Sequence, residues 1–340
     1  MSSAAPDQCM VKENLHEHPA VKAWLELDST QQRPSAVTAL YDAKRAGRKT
    51  KQKKKSAVYK LESASNTGAA VVAKGCRIAT GRTERFIYER ILPQLPVSSP
   101  TYHGSVEIDE SLWLFLDYAG GVEWRIDDEA HLELAIQWLA NMHSSSAQLD
   151  LLSQLPDRGP RYYRSQLEKA RQRIERGRSN PRLQSSDIET LDRFIGQTEL
   201  FDSRWPEIQG FCESRPVSLV HNDFISKNLH VRDTKNGPVL LPFDWEMSGR
   251  GVPAVDLSWM FVKAPDRAIA KYHEQMRHFD PNICLCDIAY MAALGTAFRI
   301  SDAVEWASQD LLTEYPHKKI SHFEKYTNRL ASASTVLGWS

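Results

Sequence analysis

The segment LVHNDFISKNLHV, followed closely by LLPFDWEMSGRGVPAVDLSWM, constrains this chain more than any other part of it. Two short apolar runs, 218–220 and 239–243, read as strands. His221 and Asp223 follow the first run directly, Asn228 comes five residues after Asp223, and Asp244 ends the second run. A tight loop carrying Asp223 and Asn228 places both beside one reacting group, and a second strand returning next to it delivers Asp244. Phosphoryl transfer from a nucleotide needs these residue types. One carboxylate orients the attacking hydroxyl and accepts its proton, while an amide oxygen and a second carboxylate hold Mg²⁺ on the phosphates.

The chain has 340 residues, more than one hydrophobic core usually holds, so two lobes are expected. A hydrophobic share of 41% and a charged share of 25% exclude a disordered tail, a collagen-like fibre and a small disulfide scaffold. The first residues, MSSAAPDQCM, lack a basic stretch followed by an apolar core, and no apolar run is long enough to span a bilayer. A cytoplasmic protein without membrane attachment is expected. Basic and acidic residues balance at 43 each, which argues against a general nucleic-acid binder. The balance is a cancellation: the tract 44–55 holds eight basic residues and no acidic one, leaving 35 basic against 43 acidic elsewhere. That tract reads as a solvated hairpin tip, with attraction of a nucleotide as the functional alternative. The five cysteines are scattered, and Cys284 and Cys286 read as two thiols rather than as a metal site or a disulfide.

Apolar spacing predicts a short helix over 19–27, strands over 36–41, 57–61, 69–73 and 112–116, and a helix over 83–92. After Gly120 and Gly121 the pattern turns helical, over 130–143, 161–178, 187–201 and most of 255–339. The helix over 161–178 is rich in arginine, with Arg164/Glu168 and Arg171/Glu175 spaced for pairing along one face. The expected class is α+β, with a small antiparallel-sheet lobe containing one helix and a larger, mostly helical lobe.

The order HNDFISKN, FDWE and DLSWM resembles the aminoglycoside phosphotransferase and choline kinase superfamily, which has a bilobal protein-kinase-like fold. The resemblance runs from about residue 38 to the C-terminal helices. It implies an extension over 1–33, a nucleotide-binding lobe over 34–117, and a catalytic and acceptor-binding lobe over 118–340. It places Asp223 as the catalytic carboxylate and Asn228 and Asp244 as Mg²⁺ ligands. Lys74 becomes the ammonium on the α/β-phosphates, paired with Glu84, with Glu89 as the competing partner. Ser56 falls where the phosphate-covering loop re-enters its second strand. The backbone of Leu116 and Tyr118 becomes the adenine contact, beside a bulky Phe115 that fits ATP while leaving GTP open. His221 and Asp256 become structural supports. Asn222 and Lys227 stand where the family often has glycine, and the covering loop has one glycine, Gly47, in place of a glycine-rich run.

Only twelve positions separate Asp244 from Asp256, too few for the activation loop and peptide platform of a protein kinase. The acceptor is therefore expected to be a small hydroxylated molecule: an aminoglycoside-, amino-alcohol- or sugar-like metabolite or antibiotic. Trp259, Tyr272, Asp302, Glu305 and Trp306 are candidates to line its pocket, and Glu246 is a candidate to face a second metal or the acceptor, with a structural role on the hinge side as the alternative. Acidic and aromatic groups together would suit a cationic amine, and solvated carboxylates with core tryptophans are the competing reading. A catalytically silent nucleotide-binding module and a protein kinase are the rival functions. An acceptor panel yielding no product favours the first, and phosphate transfer to a folded protein favours the second.

Overall fold

A computed structural model describes residues 15–27, 32–42, 56–65, 69–263 and 265–339. The basic tract 44–55, with the covering loop it belongs to, and Cys9 lie outside the described residues. In chain order the elements begin with α1 (Pro19–Leu27), β1 (Ala36–Asp42), β2 (Ser56–Glu62), β3 (Val71–Arg77), α2 (Ile78–Phe86), β4 (Tyr102–Ile108), β5 (Ser111–Asp117) and β6 (Val122–Glu123). There follow α3 (Glu129–Ser146), α4 (Pro160–Gly177), α5 (Ser185–Ser203), α6 (Trp205–Glu213), β7 (Ser218–Val220), β8 (Leu229–Thr234), β9 (Gly237–Pro242) and β10 (Gly249–Gly251). The chain then continues through α7 (Ala254–Lys263), α8 (Pro265–Met276), α9 (Leu285–Ala307) and α10 (Ile320–Val336). The class is α+β. No described helix is long and apolar enough to cross a membrane.

The chain divides into two compact units. The first comprises residues 1–94, 98–124 and 226–246, and the second 95–97, 125–225 and 247–340. This division differs from the boundaries expected at 33/34 and 117/118. Helix α1 belongs to the first unit, and so does the β8–β9 hairpin, which pairs with β6 through Val122 and Val231.

The first unit is built on an antiparallel sheet in the order β1-β2-β3-β5-β4. Alternation along β3 sends Val71 and Ala73 to one face and Lys74 and Cys76 to the other. Trp24 and Val21 of α1 cover the first face, packing with Val71, Ala73 and Phe115. Cys76 meets Leu112 and Leu114 on the opposite face, where α2 follows β3 without a loop. That helix starts at Ile78, five residues before the expected start. Strand β4 was not expected from the sequence: Gly104, at φ +133°, breaks its register with β5 and masks the alternation. Gly121, at φ +65°, sits against the Val231 carbonyl, so a Cβ there would collide with β8 backbone.

In the second unit β7 and β10 pair antiparallel, and helices α3, α4, α7 and α9 supply the core. Tyr163 stacks on Phe298 with ring centroids 4.2 Å apart. The arginines of α4 do not pair within their helix as expected. Arg164 and Arg171 reach across to Asp202 and Glu199 of α5, and Glu175 pairs with Arg178 instead. Cys284 and Cys286 are bonded to each other, in place of the two thiols expected, with Cα atoms 5.2 Å apart, inside disulfide range.

Gly295 of α9 has no room for a side chain: a Cβ would overlap the Ala254 carbonyl oxygen at the start of α7. Gly295→Ala is predicted to lower unfolding stability by about 1–3 kcal/mol, the usual range for overpacking. Urea denaturation measures it, and an unchanged midpoint would show that α7 and α9 have slack.

Candidate active site

Lys74 lies in the central strand, with Val58 and Leu114 as its neighbours in register. A buried ammonium requires partners, and three carboxylates supply them. Its Nζ is 2.7 Å from Glu84 Oε2, 2.5 Å from Asp244 Oδ1 and 3.9 Å from Glu246 Oε2. Lys74 is 7% exposed and Glu84 0%. The second oxygen of Glu84 accepts the Trp245 N–H at 3.4 Å, which ties α2 to the segment after β9. Glu89, the competing candidate, instead accepts from the Tyr102 hydroxyl at 2.6 Å and pairs with Arg85.

Burial by itself would push Lys74 down; Glu84, Asp244 and Glu246 outweigh it and hold the ammonium well above its usual range. Burial is also the main cause that pushes the Glu84 carboxyl up, against the pull of Lys74, and Asp244 and Glu246 add to the rise. Both directions follow from one positive charge facing three negative ones. A cluster with that surplus fits a divalent cation, a hard ion that takes oxygen donors.

The hairpin places the remaining oxygen donor. Leu229 pairs with Pro242, and the Phe243 N–H donates to the Asn228 carbonyl at 3.0 Å, so Asn228 and the Phe243–Asp244 step lie at the same end of β8 and β9. Asn228 is buried. Asp244 has φ +71°, a left-handed conformation that costs free energy in a non-glycine residue and recurs at functional sites. Asn228, Asp244 and Glu246 are thus the residues that could hold the metal. Ser56 opens β2, opposite Cys76. Lys227 is exposed.

The expected adenine contact needs correction. The Tyr118 N–H donates to the Ala70 carbonyl at 3.0 Å, which extends the β3–β5 ladder by one pair, and Leu116 is paired with Val72 in the same ladder. Strand alternation therefore turns the Leu116 and Tyr118 backbone toward β3. Asp117 and Ala119 present their backbone groups to the other side, where the Asp117 N–H already meets the Thr101 carbonyl at 2.8 Å.

In the second unit the Asp256 carboxylate organises the loop after β7. It accepts the His221 N–H at 2.8 Å and the Asn222 N–H at 2.9 Å, and is hydrogen-bonded to His143 Nε2 at 3.3 Å. The Ser248 hydroxyl donates to the His221 carbonyl at 2.9 Å. Asn222 adopts φ +62°, which Asn tolerates better than most residues. Its side chain accepts from the Tyr163 hydroxyl at 3.0 Å and donates to the Met247 carbonyl and Asp302, each at 3.2 Å. Asn222 therefore serves both the backbone turn and a hydrogen-bond network. The next residue, Asp223, has Oδ1 3.0 Å from Arg299 Nη2. The sequence offered one signal for Arg299: a basic residue inside an otherwise apolar stretch of α9, one turn before Asp302.

The residues expected to line an acceptor pocket are mostly buried or already paired. Tyr272 is 0% exposed, and its hydroxyl is hydrogen-bonded to His143 Nδ1 at 2.9 Å, so it supports Asp256 from behind. Trp259 is buried. Glu305 is held by Arg173 at 2.7 Å. Trp306, 41% exposed, lies under the Lys319 ammonium at 4.2 Å. Asp302 alone is connected to the Asp223 loop, through Asn222, and it also accepts from the Tyr162 hydroxyl at 2.7 Å.

Lys74→Met would leave Glu84 buried without its counter-charge, at a predicted cost of about 3–5 kcal/mol. Adding Glu84→Gln should recover most of that loss. Chemical denaturation of the single and double variants checks this, and a double variant no more stable than the single one would contradict the pairing.

Comparison with known proteins follows from this geometry. The model of the phosphotransferase enzyme family matches residues 73–282. No curated protein sequence matches the chain. Among solved structures, a spectinomycin phosphotransferase in complex with ADP and spectinomycin aligns at TM-score 0.60 and 12% identity, covering 92% of this chain and 97% of its own. A thermostable aminoglycoside phosphotransferase in a ternary complex with ADP and hygromycin B aligns at 0.54 and 16%, covering 92% and 96%. A Plasmodium vivax ethanolamine kinase aligns at 0.53 and 14%, covering 82% and 79%. At these identities the likeness is one of fold. The match over 73–282, which takes in Lys74, Glu84, Asp223, Asn228 and Asp244, carries the assignment: the chain belongs to the phosphotransferase enzyme family.

Proposed function

We propose that the protein transfers the γ-phosphoryl group of ATP to a hydroxyl of a small molecule. The observation that carries this reading is the Lys74 cluster. A strand, a helix and the segment after a hairpin converge on one buried ammonium, and they leave surplus carboxylate for a metal. Similar folds crystallised with ADP support a nucleotide substrate. Those folds belong to a spectinomycin phosphotransferase, an aminoglycoside phosphotransferase bound to hygromycin B and an ethanolamine kinase, which supports a small acceptor.

In this reading Glu84 holds Lys74 extended, and the ammonium meets the α- and β-phosphates. Asn228 and Asp244, with Glu246 beside them, would hold Mg²⁺, which neutralises phosphate charge. Asp223 accepts a hydrogen bond from the acceptor hydroxyl and aims its oxygen at the γ-phosphorus. The new O–P bond forms as the bond to the bridging oxygen of ADP breaks, and the hydroxyl proton passes to Asp223. An ordinary Asp, with pKa near ~3.9, is a weak base for an alcohol. That suffices when the transition state is loose and the proton leaves late. Positioning and charge neutralisation then supply most of the rate. Asp256, His143 and Tyr272 fix the loop that carries Asp223 and touch no reacting atom.

Asp223→Asn is predicted to lower kcat by about 10²–10⁴-fold, with ATP affinity and thermal unfolding unchanged. Product mass spectrometry across a set of hydroxylated acceptors, with Mg²⁺-ATP, reads the first quantity. Full turnover in the variant would remove Asp223 from this role.

A further inference from the structure

One side chain in contact with the candidate catalytic carboxylate is an arginine. Arg299 Nη2 lies 3.0 Å from Asp223 Oδ1, and this is the one hydrogen bond or ion pair of the guanidinium among the described residues. Guanidinium carries five N–H donors in a rigid fork that matches carboxylate and phosphate oxygens. One contact leaves most of the fork uncommitted, and the side chain is 34% exposed, so it is open to a solute.

The groups that could instead attract a cation near this point already have partners. Asp302 accepts from Tyr162 and Asn222. Burial raises its carboxyl, while Tyr162, Arg158, Asn222 and Arg299 pull the other way. Arg158 lies 4.2 Å from the Tyr162 ring, adding a second guanidinium to the same neighbourhood. Glu305 is spent on Arg173, and Trp306 is covered by Lys319. An amine arriving at Asp223 would meet the Arg299 guanidinium beside it.

We propose that the acceptor carries an anionic group, a carboxylate or a phosphate ester, and that Arg299 binds it with the nitrogens not committed to Asp223. This rests on the phosphotransferase reading and replaces the expectation of a cationic acceptor. Reach bounds the acceptor's size. A hydroxyl about 2.7 Å from Asp223 Oδ1 and an anion about 2.9 Å from a guanidinium nitrogen not committed to Asp223 stand no more than about 11 Å apart. A compact hydroxy acid or a small sugar or polyol phosphate fits that span.

The test is a library of hydroxylated metabolites sorted by charge, with Mg²⁺-ATP and product mass spectrometry. It contains glycerate with glyceramide, glycerol phosphate with glycerol, and choline. The best acceptor is then compared with its neutral analogue in wild type, Arg299→Met and Arg299→Lys. The expected result is an anionic best acceptor, favoured in kcat/KM over its neutral analogue by about ten- to a hundredfold, the worth of a charge-assisted contact. Arg299→Met should bring that ratio near one, and Arg299→Lys should keep part of it. Carboxylate and phosphate pairs separate the two sources of charge. A neutral or cationic best acceptor would overturn the proposal and leave the phosphotransferase reading intact. So would an Arg299→Met variant slowed equally on both members of a pair, since that marks Arg299 as a support for Asp223 only. Absence of any phosphorylated product would overturn the phosphotransferase reading itself, and this inference with it.

Discussion

One ammonium surrounded by carboxylates sets the organisation of the sheet-containing unit. Lys74 is buried, and a buried charge is tolerated only when paired and hydrogen-bonded. Satisfying it requires α2 to follow β3 directly, so that Glu84 arrives from one side. It also requires the β8–β9 hairpin to end at Asp244, so that a second carboxylate arrives from another. The cluster then carries more negative than positive charge. Such a site is at odds with stability alone, where replacing a buried ion pair by apolar residues is often neutral or stabilising. The surplus makes sense where a cation and a polyphosphate are to be bound.

The helical unit solves a different problem, the presentation of a single carboxylate on a strained turn. Asn222 in the left-handed region would relax without restraint, and the restraint comes from Asp256, which takes two consecutive backbone N–H groups. His143 and Tyr272 fix Asp256 in turn, from inside the core. Asp223 is therefore positioned through the backbone of its loop, and its side chain meets Arg299. Gly295, by letting α9 lie against the start of α7, sets the helix that brings Arg299 to that point.

Much of this was legible in the sequence, for a reason visible in the chain. Asp223, Asn228 and Asp244 sit within one short stretch whose flanking strands are strongly apolar, so spacing alone relates them. Lys74 and Glu84 were reached through the family resemblance, and they lie ten positions apart on a strand and the helix that follows it. Other features depend on contacts the chain makes with distant parts of itself. Arg299 lies 76 positions from Asp223, on a helix whose apolar pattern gives no hint of which face it turns to the loop. Tyr272 resembled a binding residue until its hydroxyl was placed on His143. The Leu116 and Tyr118 backbone, expected to meet adenine, is turned toward β3, because strand register is set by pairing with β3 and not by the residues themselves. Strand β4 was hidden by Gly104 and by polar residues on a half-exposed strand.

The measurement that bears most directly on the central claim is calorimetric titration of ATP with and without Mg²⁺. A cluster of three carboxylates around one ammonium should repel a bare triphosphate and accept it together with a divalent cation. The account predicts at least a tenfold loss of affinity, on the order of 1.4 kcal/mol, when the divalent cation is removed. The Asp244→Asn variant should show a smaller dependence on the cation. ATP binding of equal strength in the presence and absence of Mg²⁺ would contradict the account.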